Sequence, residues 1–211
     1  MATLQGVYSA SVLDNRDPDR LGRVLIAVPA VGTRGIWARV ATMMAGPHRG
    51  TWFIPEVGDE VLVAFEGNDQ RAAYVIGALW NAKARPPVED GDASAVKLIR
   101  SRSGVTFRIR EDKATSLVVE TPAGQRITLQ DSPGSVRVAD EHGNSVTLDA
   151  SGVTITASAK VSLNASVVDV NASQVTVDAG MSRFSGVVQC DTLISNAVVS
   201  ASYSPGAGNI W

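Results

Sequence analysis

With 45% hydrophobic and 19% charged residues over 211 positions, the chain can bury a core and falls outside the disordered range. A formal net charge of −2 leaves no electrostatic footprint for nucleic acid. The N-terminus lacks the basic start and apolar run of a signal peptide, and no stretch approaches about 18 apolar residues, so a soluble chain assembled in the cytoplasm is expected.

Residues 1 to 80 hold five apolar or alternating runs: Gly6 to Leu13, Arg23 to Val28, Ile36 to Thr42, Glu60 to Phe65 and Ala73 to Trp80. Turn-forming residues separate them, among them Asp14 to Asp19, Pro29 to Gly35, Ala45 to Gly50 and Pro55 to Gly58. No segment keeps helical spacing over three turns. Five strands in such a span suit a small Greek-key barrel of the OB type, with an SH3-like barrel as the structural alternative. Residues 83–95, with Pro86, Pro87 and several charges, read as a linker.

Strands resume at Val96 to Ile99, Val105 to Ile109, Leu117 to Val119, Ile127 to Leu129 and Val136 to Val138. From position 146 a short phrase recurs, apolar-polar-apolar-polar. Its apolar pairs are Val146 and Leu148, Val153 and Ile155, Val161 and Leu163, Val168 and Val170, and Val175 and Val177. Residues two apart share one face of a strand, so these ten form the predicted core of the C-terminal half. Three of the four steps between phrases are odd, and an odd step along a straight strand would move the next pair to the opposite face. The spacing therefore predicts a chain that bends at each small-residue corner and winds as a prism of short strands. One phrase contributes two inward side chains worth about 1.5 to 3 kcal/mol each. Ordering its residues costs roughly 1 to 2 kcal/mol apiece, so stacking or intertwining is compulsory. The period alone allows either a single-chain solenoid or three chains about a common axis.

The last residues drop the phrase. Tyr203, Ile210 and Trp211 are costly to leave in water, and the tail 201–211 is expected to pack against a partner or the fibre side. Candidate chemistry is sparse. His48 and His142 lie in different halves, which offers little for a metal site or a Ser-His-Asp triad, and neither a metal nor a cofactor is expected. Glu56, Asp59 and Glu60 flank a turn and read as solvated rather than as an acid/base pair. Trp37, Trp52, Phe53 and Trp80 read as barrel core or as a protein-docking surface. Cys190 has no disulfide partner and is expected to be half-buried.

The run Gly22-Arg23-Val24, Trp37 with Arg39-Val40, and the block from Gly50 through Ile54-Pro55, Gly58-Asp59-Glu60 to Val63, with Gly77 beyond it, resembles the OB module of phage baseplate assembly protein V and the VgrG spike proteins. The resemblance implies an OB-fold motif set of Gly22, Arg23, Trp37, Pro55, Gly58 and Gly77. It implies an all-β chain: a five-stranded OB-fold barrel over 1–82, the linker, and an intertwined trimeric triple-stranded β-helix over 96–200, with the tail at its tip. It further implies a non-enzymatic homotrimer that docks a separate hub protein, carries a PAAR-like tip protein, joins tail tube and baseplate components, and makes transient contact with a target membrane. The chain departs from the VgrG pattern in starting almost directly at the OB module, and its short linker has no room for a lysozyme-like insert. The rival readings are a single-chain β-solenoid enzyme acting on polysaccharide and an OB-fold nucleic-acid-binding protein.

Overall fold

The computed structural model describes residues 6–88, 94–112 and 114–201. The chain divides into two compact units, Met1–Val161 and Ser162–Trp211. The described residues are all-β; their only helical turns are three-residue 3-10 turns at Pro29–Val31 and Glu66–Asn68.

Strands β1 (Val7–Asp14), β2 (Arg23–Val28) and β3 (Thr33–Val40) are followed by a small ribbon, β4 (Ala45–Gly46) and β5 (Arg49–Gly50), and then by β6 (Glu60–Phe65) and β7 (Ala73–Leu79). The five long strands close into a barrel in the order β1-β2-β3-β7-β6, the OB-like arrangement the alternation predicts. In β2 every second residue is buried, and Val24, Ile26 and Val28 meet Val12, Val61, Val63 and Val75 in a compact aliphatic core. Closure requires strands to bend. Three bulges supply the bends, inserting Leu13 in β1, Gly35 in β3 and Ile76 in β7 between successive paired residues.

The second part of the first unit is a seven-stranded antiparallel meander. It comprises β8 (Val96–Arg100), β9 (Thr106–Arg110), β10 (Ser116–Glu120), β11 (Arg126–Gln130), β12 (Ser135–Ala139), β13 (Ser145–Asp149) and β14 (Gly152–Thr156), each paired with its neighbour in sequence. The first two repeated phrases are thus a hairpin rather than a winding pair. Ala150 and Ser151 form a two-residue turn, and the register sets Val146 opposite Ile155 and Leu148 opposite Val153. Facing here follows from cross-strand register, not from the count between strand starts, so the odd step of seven returns both apolar pairs to the same face.

In the second unit the described residues 162–201 contain no helix or strand, and all are exposed. The phrases at 163, 168–170 and 175–177 therefore find no ladder partner within one chain. An extended segment without a neighbour has no backbone ladder and no face to bury, which is the physical reason these phrases remain unpaired here. Cys190, expected half-buried, is exposed.

Candidate assembly interface

The meander sorts its side chains by register. One row of directly opposed residues runs Ile99, Phe107, Val119, Ile127, Val138, Val146, Ile155. The parallel row, two residues along each strand, runs Lys97, Ile109, Leu117, Leu129, Val136, Leu148, Val153. Opposed residues in an antiparallel pair project from the same face, so thirteen apolar side chains and one lysine share one side of the sheet. Lys97 sits at the margin on β8, ion-paired with Glu111.

Among the described residues no element packs over this face, although Ile109, Leu117 and Val119 are half-buried within it. Exposure is 39% at Phe107, 43% at Ile127, 48% at Val138, and rises to 61% at Ile155 and 67% at Val153 on the outermost strand. A soluble monomer rarely leaves so long an apolar stripe in water. The four candidates Val146, Leu148, Val153 and Ile155 lie on this face. Val161, Leu163, Val168, Val170, Val175 and Val177 lie outside the strands, with exposures from 56% at Val161 to 75% at Leu163. Beyond the ten predicted core residues, β8 to β12 also contribute to this face. Their signal was the same apolar-polar-apolar spacing in Leu117 to Val119, Ile127 to Leu129 and Val136 to Val138.

The barrel motif residues hold loops in place. Gly22 has a left-handed φ of +73°, and a Cβ there would meet the Trp52 ring at 3.0 Å. Arg23 lies 5.8 Å from the Trp37 ring centroid and forks onto Asp17, with Nη2 donating to Oδ1 at 2.7 Å and Nε to Oδ2 at 3.1 Å. Asp17 also accepts the backbone N–H groups of Asp19, Leu21 and Arg23 at 3.1, 2.8 and 3.2 Å, so one buried carboxylate organises the whole β1–β2 loop. Pro55 accepts from Asn15 Nδ2 at 3.2 Å, tying the second loop to the first. Gly58 sits at φ +95° in a turn closed by Asp59 N–H donating to Glu56 O at 3.0 Å, and its own N–H donates to Val12 O at 2.9 Å. Gly77 stands apart, opposite Leu62 beside the β7 bulge.

The Arg23 guanidinium, with the backbone donors, holds the Asp17 carboxyl far below the usual carboxylate range. A depressed folded-state pKa contributes stability that is fully present above the ordinary value of about 3.9 and is lost as pH falls toward the folded value. Asp17→Asn is therefore expected to lower the melting temperature of the barrel by a constant amount from neutral pH to about pH 5, with the gap to the parent closing on further acidification. Thermal melts of both proteins across that range check it, and a gap that widens in acid would contradict it.

Three aromatics expected either in the core or on a docking surface are on the surface: Trp52 is 74% exposed, and Phe53 and Trp80 are similarly open. Trp52 and Phe53, with Leu21 and Met44, line a cleft of about 590 Å³ beside the β4–β5 ribbon. Glu56 and Glu60 are engaged structurally, accepting from Arg102 Nη1 and Asn81 Nδ2, both at 2.8 Å, and Asp59 accepts the Glu56 N–H at 2.8 Å. No group of three or more His, Cys, Asp or Glu side chains among the described residues could hold a metal ion. Tyr203, Ile210 and Trp211 lie outside the described residues.

Residues 8–80, the barrel, match the family described as the type VI secretion system/phage-baseplate injector OB domain. Residues 116–178 match the phage baseplate V C-terminal trimerisation domain, a span that begins at β10 and runs through the repeated phrases. The chain belongs to the baseplate V/VgrG-type spike family. Membership makes it a structural component of a baseplate particle, and the trimerisation domain supports a homotrimer. No curated protein matches the chain. Among the described residues no helix is long and apolar enough to cross a membrane.

Proposed function

We propose that the chain is the central spike of a contractile tail or contractile injection system, a non-enzymatic homotrimer whose three apolar sheet faces close on a common axis. The exposed double row of apolar side chains across the meander carries this reading, because further copies supply a surface of the same length and spacing and the matched trimerisation domain favours them. Residues 96–200 then form the needle, with the meander at its base and the phrases from Val161 onward continuing as an intertwined triple-stranded β-helix. Three chains sharing one ladder leave no free lateral edge, which makes the needle stiff. The barrel, residues 1–82, is the collar that docks a separate hub protein; the exposed Trp52, Phe53 and Met44 surface supports that role. The tail 201–211 is the seat for a PAAR-like tip protein, and sheath contraction drives the assembly through the target envelope.

Particles from cells lacking the chain, and from cells producing a chain ended at Ala201, test the proposal together. Without the chain, no complete baseplate and no delivery into target cells are expected. The truncated chain is expected to form the trimer and enter the particle without its tip protein. Normal delivery without the chain contradicts the spike role, and full tip occupancy on the truncated spike assigns the tail another role.

A further inference from the structure

On the face of the meander opposite the apolar rows, Arg100, Thr106, Glu120 and Arg126 are directly opposed across β8 to β11, and Arg108 stands two residues along β9 on the same side. The β8–β9 turn, which brings Arg102, and the β10–β11 turn, which brings Thr121, border the same depression of about 680 Å³. Thr106 lines it too. It is buried, and its hydroxyl donates to Gly104 O at 3.1 Å. Four guanidiniums and one carboxylate therefore converge, although the chain as a whole carries a net charge of −2.

Two of the four are satisfied: Arg126 Nη2 donates to Glu120 at 2.6 Å, and Arg102 Nη1 donates to Glu56 at 2.8 Å. Arg100 and Arg108 make no ion pair among the described residues, and Arg108 is half-buried. Both guanidiniums are thus free to take an anion, and a planar guanidinium fork matches a tetrahedral oxyanion in bidentate fashion. We propose that this pocket binds a phosphate group, held between the Arg100 and Arg108 forks. The surplus of positive charge suits a dianion better than a single carboxylate. Because the apolar face is the one that three chains share, each trimer presents three such pockets outward. Free phosphate and the phosphate of a lipid headgroup have the same chemistry here.

Calorimetric titration of the trimeric full-length chain with inorganic phosphate at low ionic strength tests the proposal. The Arg100→Gln/Arg108→Gln double variant is expected to weaken binding about tenfold or more, the loss of charge-assisted hydrogen bonds. Arg137→Gln, on the same face but outside the pocket, is expected to bind like the parent; unchanged mass and melting temperature show that both variants are folded. Absent binding by the parent, equal binding by the double variant, or an equal loss in Arg137→Gln overturns the proposal. Vesicles containing phosphatidic acid distinguish the sources: co-sedimentation of the parent but not the double variant assigns a lipid phosphate, and phosphate binding without co-sedimentation assigns the free anion.

Discussion

Val138→Asp is expected to convert the trimer to monomer, whereas Thr128→Asp leaves it assembled. Val138 stands in the middle of the apolar face, opposed by Ile127 on one side and Val146 on the other. If three such faces close on one axis, the substitution loses about 1.5 to 3 kcal/mol of burial per chain. It also brings three carboxylates to one level in a dry interface, where desolvation and mutual repulsion add to the loss unless they stay protonated. Thr128 projects from the other face, directly opposite Arg137, so an aspartate there gains a cationic cross-strand neighbour and remains in water. Light scattering on the two purified variants decides the matter. A stable trimer for Val138→Asp together with a monomer for Thr128→Asp would invert the facing assigned to the sheet.

The second large effect is expected beyond the meander, at Val170. It belongs to a phrase with no strand partner in one chain and is 68% exposed there, an unfavourable position for a β-branched side chain unless other chains cover it. In an intertwined needle Val170→Asp places three carboxylates around the axis, again with about 1.5 to 3 kcal/mol of burial lost per chain. Asp169→Val alters the outward residue beside it and is expected to be nearly neutral for assembly, costing solubility at most. Heat dissociation of the trimer, followed by electrophoresis, reads both variants. Parent-like heat resistance in Val170→Asp combined with failure of Asp169→Val would show that the opposite residue of the phrase faces the axis.

The barrel was legible because its strands alternate cleanly: the runs at Arg23 to Val28 and Glu60 to Phe65 coincide with β2 and β6. The third run was misplaced toward its C-terminal end, from Ile36 rather than Thr33, because the strand opens with Thr33, Arg34 and the bulged Gly35, which carry no apolar alternation. The two-residue strands of the β4–β5 ribbon are too short to leave a period at all. The apolar pairs of the phrases were readable, but their path was not. A corner such as Ala150-Ser151 can redirect a strand or reverse it, and only the register with Gly152 to Thr156 shows that it reverses. Asp17 was invisible as an organiser, since its role depends on Arg23 and three backbone donors that no local pattern announces. The aromatics Trp52 and Phe53 lie between elements, where no periodicity assigns a face.

The central claim, that the apolar face of the meander is covered by two further copies of the chain, is tested most directly by the mass of the purified protein under native conditions. The account predicts one species at three times the chain mass of 22.1 kDa, unchanged on dilution through the concentrations at which weak associations dissociate. A single species at 22.1 kDa would contradict it.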